Sequence, residues 1–385
     1  MIRITDKSQC CGCTACMNVC PHGAISMKTD VLGFPYPVAD SDICTDCGLC
    51  DKVCDFTTPR RPAPYDDAPV EVFAARNTDA SVLMASQSGG AFTALSDSVL
   101  AQGGVVYGAV MNEDFSVSHI RAQTAEERNR MRGSKYVQSD MSDVFRLVRK
   151  DLTDGRKVLF TGTPCAVAGL ASYIPSGLQK GLFLLDFVCH GVPSPFIWRD
   201  YVAWMGRRGT IVQACFRDKR RSGWKIHKES FVYSDGRTVE RETFRVLFYK
   251  NIMLRHSCAV CPYGLGTRRA DITIGDFWGI GEYLPELDTQ EGTSMIICHS
   301  RKGEELMEAS IPMMDVRKVV VGKDFLSRRN PNLLRPSDIY KDRQIFEEAY
   351  SRKGFRYVAA RWGDCGWRYK AWQLKMFFRK MTGKI

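Results

Sequence analysis

The chain has 385 residues, 44% of them hydrophobic and 25% charged, with a formal net charge of +11. Those values describe a globular chain of two or three domains and exclude a disordered or fibrous one. Residues 1–58 carry four Lys/Arg against seven Asp, while residues 354–385 carry eight Lys/Arg against Asp364 alone, and this split argues against a nucleic-acid binder with one basic face.

The start, Met1–Cys10, is polar and has no signal-peptide pattern, and no apolar run reaches the roughly 18 residues that span a bilayer. Sixteen cysteines in such a chain point to metal ligands in a reducing, cytoplasmic compartment. The first of them form a run. Cys10-x2-Cys13-x2-Cys16-x3-Cys20-Pro21 has the bacterial ferredoxin spacing and recurs as Cys44-x2-Cys47-x2-Cys50-x3-Cys54. The fourth Cys of each such run ligates the other cluster. That assigns Cys10, Cys13, Cys16 and Cys54 to one 4Fe–4S cluster, and Cys44, Cys47, Cys50 and Cys20 to the second. Zinc would ask for separated Cys pairs instead. Asp55 stands where the second run would have Pro, which loosens the turn and removes no ligand. Cys11 reads as a bystander thiol. Ala24–Met27 and Phe34–Val38 fit short strands with Gly33 in the turn. Residues 1–58 therefore read as a two-cluster ferredoxin domain, tethered by a Pro-rich linker over 59–69.

In residues 70–156, Glu71–Ala75 reads as a strand. Ser86-Gln87-Ser88-Gly89-Gly90 then opens a helix over Ala91–Leu100, with helical spacing at Phe92, Leu95 and Val99. A Gly pair at a helix start lets backbone N–H groups approach an anion such as a phosphate, although such pairs are also common without ligands. Val105–Met111 is a further strand. Gly133-Ser134-Lys135-Tyr136 offers a cation, a hydroxyl and a ring on one loop, or a solvated turn.

In residues 157–320, two apolar runs bounded by Gly and Pro read as buried strands, each delivering a cysteine. Val158–Thr161 leads into Gly162-Thr163-Pro164-Cys165, and Leu182–Val188 into Cys189-His190-Gly191-Val192-Pro193. With Cys258-Ala-Val-Cys261 they make a four-thiolate set, suited to a third cluster or to a structural zinc. Cys215 and Cys298 read as core residues. A strand over Ile211–Phe216 delivers Arg217-Asp218-Lys219-Arg220-Arg221 and Trp224. Such a charge run is ordinarily a solvated face, but Trp224 hints at a pocket for a planar anion. Asp271–Ile274 leads into Gly275-Asp276-Phe277-Trp278-Gly279, a tight loop beside a flat ligand or simply a packed turn.

Together these residues resemble the beta-subunit family of the coenzyme F-420 (deazaflavin) hydrogenases and dehydrogenases. The resemblance covers roughly residues 70–320. It rests on Ser88-Gly-Gly with Thr93, Gly133-Ser-Lys-Tyr136, Gly162-Thr-Pro-Cys165, Cys189-His-Gly-Val-Pro193, Phe216-Arg-Asp-Lys219 with Gly223-Trp224, Cys258-x-x-Cys261 and Gly275-Asp-Phe-Trp-Gly279. It implies FAD with a 4Fe–4S cluster beside it, often behind an N-terminal ferredoxin module. It further implies that Cys165, Cys189, Cys258 and Cys261 hold that cluster, and that Ser88, Gly89, Gly90, Thr93, Gly133, Ser134, Lys135 and Tyr136 serve the flavin, with Asp276 and Trp278 nearby. Ala166 departs from the family, which usually has Gln there.

Residues 321–385 read as a basic helical tail, loop-like over Phe325–Leu334 and helical over Asp338–Arg352. An apolar stripe follows at Trp367, Ala371, Leu374, Phe378 and Met381, with Arg368, Lys370, Lys375, Arg379 and Lys380 largely off it. Such a helix packs on a domain or partner, or meets the inner face of a membrane. The fold expected is α+β: a ferredoxin-like two-cluster domain, a mixed α/β flavin- and cluster-binding core and the tail. The function expected is an iron–sulfur flavoprotein oxidoreductase. His190, Lys135, Arg217, Lys219 and Trp224 are its candidates for proton supply and substrate contact. Its partner is a ferredoxin, a dehydrogenase or hydrogenase subunit or a deazaflavin, and its substrate a small molecule. The rival is an electron-transfer subunit with no substrate of its own.

Overall fold

In the computed structural model, which describes residues 1–56, 69–367, 369 and 371, the N-terminal module and the core expected from sequence pack against each other. The N-terminal module has an antiparallel pair, β1 (Ile25–Thr29) and β2 (Pro35–Ala39), in register from Ile25↔Ala39 to Thr29↔Pro35. Gly33 turns between them at φ +81, and a Cβ there would stand 2.5 Å from the Phe196 ring. Only glycine fits both the backbone and the space. Two short helices, α1 (Ala15–Val19) and α2 (Leu49–Val53), overlap the two cysteine runs.

The core is an eight-stranded sheet whose centre is parallel. Its strands are β3 (Val70–Asn77), β4 (Val105–Met111), β5 (Val117–Ala122), β6 (Val158–Gly162), β7 (Leu182–Phe187), β11 (Ile272–Asp276), β12 (Ser294–Cys298) and β13 (Met314–Val321). The order is β13-β3-β12-β11-β7-β6-β4-β5. Pairs β11–β7, β7–β6 and β6–β4 are parallel, and the strands outside them are antiparallel. The middle strands are the apolar runs of the sequence, as a sheet covered on both faces requires. A second sheet of β8 (Ile211–Cys215), β9 (Glu229–Tyr233) and β10 (Thr238–Arg241) stands apart in the order β10-β9-β8. Helices α3 (Ala80–Ala85), α4 (Ala91–Leu100), α5 (Ala125–Asn129), α6 (Val144–Thr153) and α7 (Pro164–Tyr173) connect the first strands.

The module is docked as well as tethered. Leu32, Phe34 and Tyr36 enter the same apolar cluster as Trp198, Phe216 and Phe244. Arg255, 1% exposed, donates to the carbonyls of Cys10 (2.7 Å) and Pro35 (2.8 Å) and stacks on Tyr36 at 4.2 Å. Asp55 does not loosen its turn. It is buried and accepts from Tyr263 Oη (2.6 Å) and Ser172 Oγ (2.9 Å), so it fastens the module to the core.

Two expectations for the C-terminal part are corrected. Lys323–Arg329, which overlaps the expected loop over Phe325–Leu334, is helical and buries Phe325 and Leu326. The helix expected over Asp338–Arg352 runs over Arg343–Trp362, broken at Gly354 (φ 70). The linker reading at 59–69, apart from Pro69, and the stripe beyond Ala371 lie outside the described residues.

Candidate metal and cofactor centre

The parallel strands end at one edge of the sheet, where α/β folds place ligands. Pairing Gly162 with Asp186 aligns the ends of β6 and β7. The chain beyond β6 starts α7 with Pro164 and Cys165, and the chain beyond β7 delivers Cys189. Cys258 and Cys261 come up from a loop, and the Val192 N–H donates to Cys258 Sγ at 3.3 Å. The four thiols act on one another's charge and surround a small hollow. Burial pushes Cys258 up to about 12 and Cys261 to about 11, and raises Cys189 well above the usual thiol value. Cys165 goes the other way: the neighbouring Cys11 thiol lowers it to about 7. Three thiols that are costly to ionise alone, converging with one that ionises readily, are a donor set that a cationic cluster would satisfy.

The ferredoxin-type cysteines fall into the expected crossed sets. Cys10, Cys13, Cys16 and Cys54 are mutual electrostatic neighbours. Cys20, Cys44, Cys47 and Cys50 line a second hollow at the outer end of the module. Among the described residues, no three His, Cys, Asp or Glu side chains close on a point as the ligands of a single ion do. Cys11 is more than a bystander. It is buried beside Cys13 and Cys165, and the contact with them raises its own pKa well above the usual thiol value.

A larger cavity of about 310 Å³ opens at the same sheet edge. That volume lies at the lower end of cofactor and ligand sites, which run from about 300 to 1,000 Å³. Ser88, Gly90, Gly133, Ser134, Lys135, Tyr136, Asp276 and His190 all line it. Cys11, Cys165, Cys189, His190, Gly191 and Val192 line both this cavity and the core cysteine hollow. The two spaces therefore share a wall. His190 stands in it, reaching the Oδ1 atoms of Asn251 (2.7 Å) and Asn332 (3.2 Å). Lys135 Nζ donates to the carbonyls of Met131 (2.8 Å) and Arg132 (2.9 Å), and burial lowers its pKa to about 7.

Other expected site residues sit elsewhere. Gly89 does not line the cavity. A Cβ there would stand 2.1 Å from the Ala75 carbonyl and 2.6 Å from the Ser294 nitrogen, so its small size serves strand packing. Thr93 is buried in the first turn of α4, and its hydroxyl accepts from Arg132 Nε at 3.2 Å, while Arg132 does line the cavity. Arg217, Lys219 and Trp224 are buried and bound internally instead of facing a substrate. Arg217 pairs with Asp276 at 2.7 Å, and Trp224 donates to Asp276 at 3.0 Å while stacking on Trp278 at 4.6 Å. Lys219 Nζ donates to the carbonyls of Leu83, Ser88 (2.8 Å) and Glu291 (2.6 Å), pinning the loop that leads into α4. Trp278 supports this cluster and does not reach the cavity wall.

Sequence reasoning missed His119, which lines the cavity between Ser139 Oγ (2.7 Å) and the Thr161 carbonyl (3.0 Å). Burial holds it neutral, with a pKa of about 4. An isolated His on a strand carries no motif. Ala166, at the family's usual Gln position, lines the cavity with only a methyl group.

The fold and its cysteine sets define an iron–sulfur protein of redox type. Residues 155–318 match the family model for the C terminus of the coenzyme F420 hydrogenase/dehydrogenase beta subunit, residues 72–146 the model for its N-terminal part, and residues 9–58 a 4Fe-4S dicluster domain. The chain belongs to the coenzyme F420 hydrogenase/dehydrogenase beta-subunit family and carries a 4Fe–4S dicluster domain ahead of it. It is 24% identical over 204 residues to one subunit of the F(420)H(2) dehydrogenase of Methanosarcina mazei, covering 49% of this chain and 55% of that protein. It is 32% identical over 83 residues to one subunit of the H(2):CoB-CoM heterodisulfide,ferredoxin reductase of Methanothermobacter marburgensis, covering 18% of this chain and 12% of that one. The chain thus spans about half or less of these relatives. A chain of the F420-reducing NiFe hydrogenase complex from Methanosarcina barkeri shares the fold at a TM-score of 0.51 and 20% identity, over 75% of this chain and 95% of that one. No helix among the described residues is long and apolar enough to cross a membrane.

Proposed function

We propose that this chain is an FAD-dependent iron–sulfur oxidoreductase with a 4Fe–4S cluster in each of its three cysteine sets. The observation that carries the reading is the wall shared by the core cysteine hollow and the larger cavity, formed by Cys165, Cys189, His190, Gly191, Val192 and Cys11. It would put a one-electron centre next to a flavin, which supplies two-electron, hydride-type chemistry. Ser88 and Gly90 at the start of α4, with Arg132 reaching Thr93 in its first turn, suit a pyrophosphate, since backbone N–H groups and the helix dipole favour anions there. Gly133, Ser134, Lys135 and Tyr136 form one wall, from which Lys135, when protonated, would offset the charge of a reduced flavin. Asp276, held by Arg217 and Trp224, faces the cavity as an acceptor. His190, between amide oxygens and beside both spaces, is the group placed to hold or pass a proton. The electron carrier is a ferredoxin-type protein or a deazaflavin, and the substrate a small molecule, in a cytoplasmic setting.

The names of two relatives, one from a dehydrogenase and one from a hydrogenase complex, favour a second reading in which the chain passes electrons to a partner and has no substrate of its own. One experiment separates them. After anaerobic reconstitution, the chain is mixed with reduced deazaflavin, nicotinamide and ferredoxin donors in turn, with small acceptors and no other protein. Turnover supports the oxidoreductase; bleaching of bound flavin without turnover supports the electron-transfer role.

A further inference from the structure

The module has two cysteine sets, and only one faces the core. Every residue lining the outer hollow of Cys20, Cys44, Cys47 and Cys50 belongs to residues 1–50, and Cys47 is exposed. The inner set meets α7. Residues 165, 169 and 172 follow one another at spacings of four and three, which puts them on one helix face. Cys165 belongs to the core set. A Cβ on Gly169 would stand 2.7 Å from Cys13 Sγ, so the bare glycine lets a thiol of the inner set lie against the helix. Ser172 donates to Asp55, the residue after Cys54, at 2.9 Å. The remaining gap is filled by Cys11, which is 8% exposed, lies beside Cys13 and Cys165, and lines both the hollow and the cavity. Gln138 fixes its carbonyl at 3.2 Å.

Resting on the three-cluster reading above, we propose that electrons cross between the ferredoxin module and the core at this one junction, from the Cys10/Cys13/Cys16/Cys54 set to the Cys165/Cys189/Cys258/Cys261 set, with Cys11 as the positioning residue that bridges them. The outer set is then the port at which an external one-electron carrier is oxidised. The step moves one electron and no atoms: the inner centre is oxidised as the core centre is reduced. A thiol donating to a ligand sulfur also stabilises the reduced, more negative state of that centre.

The test uses the full chain, loaded anaerobically, with Cys11→Ala, Cys11→Ser and Gly169→Ala. Reduced viologen is mixed in a stopped-flow instrument, and bleaching of the flavin is followed. A redox titration by electron paramagnetic resonance accompanies it. Cys11→Ala is expected to slow the flavin phase about tenfold, the lower end for losing such a supporting contact, and to lower the reduction potential of one of the flanking clusters. Cys11→Ser, which keeps a donor, is expected to recover part of both. Gly169→Ala is expected to slow the flavin phase by forcing the helix off Cys13, and Cys11→Ser carries the test where Gly169→Ala loses iron. Wild-type rates and potentials in fully loaded Cys11→Ala and Cys11→Ser chains would overturn the junction alone. A wild-type chain short of about twelve iron atoms, or without flavin, would overturn the underlying reading and the junction with it.

Discussion

Arg255 is the side chain on which docking of the N-terminal module depends most. Replacing it with Met keeps much of the volume and removes the guanidinium. Its hydrogen bonds to the carbonyls of Cys10 (2.7 Å) and Pro35 (2.8 Å) and to Gln138 Oε1 (2.9 Å) are lost, with its stacking on Tyr36. Hydrogen bonds to a charged donor contribute about 1.5–3 kcal/mol each, and a desolvated cation–π contact about 2 kcal/mol. The gross sum is about 7–11 kcal/mol. Solvation of the freed groups and non-additivity reduce this to an expected loss of about 3–5 kcal/mol in the cost of undocking. Each 1.4 kcal/mol is about a factor of ten, so amide exchange over residues 10–39 should speed up at least a hundredfold. The assay is hydrogen exchange on the loaded chain under argon, with β6 and β7 as internal controls that should not change. Unchanged protection of residues 10–39 would refute the docking argument.

Glu229 is fully buried, and burial raises its pKa from 4.5 to about 8. The folded chain therefore holds a proton that the unfolded chain has released between about pH 4.5 and pH 8, so this group's contribution to stability falls as pH rises through that window. The slope is about −1.4 kcal/mol per pH unit. Glu229→Gln should remove that component and be the more stable form at pH 9 in denaturant titrations; parallel stability curves would contradict this. Lys219→Met should take the Nζ donor from the Leu83, Ser88 and Glu291 carbonyls, destabilise the chain by about 3 kcal/mol, and raise flavin loss on gel filtration through the freed 83–90 loop. Gly89→Ala would force backbone apart between β3 and β12, since its Cβ would meet Ala75 and Ser294. It should cost about 2–4 kcal/mol, seen as a lower thermal midpoint.

What sequence reveals and what it hides follow from the range of each interaction. The ferredoxin sets are legible because their ligands are fixed by spacings of two and three residues. The strands ending at Cys165 and Cys189 are legible because buried parallel strands are continuous apolar runs. Cys11, Asp55 and Arg255 escape a sequence reading because their partners lie far off along the chain: Asp55 meets Tyr263, and Arg255 meets Cys10. The run Arg217–Arg221 misleads for a related reason. Its Arg220 and Arg221 are solvated as charge runs usually are, while Arg217 and Lys219 turn inward to carbonyls and Asp276. Phe325–Leu334 reads as loop-like, yet burial of Phe325 and Leu326 draws Lys323–Arg329 into a helix.

The most direct test is the metal and flavin content of the anaerobically reconstituted wild-type chain. Three four-iron centres beside one flavin require about twelve iron atoms and one FAD per chain, with no zinc. About eight iron atoms with one zinc, or full iron without bound flavin, would contradict the account.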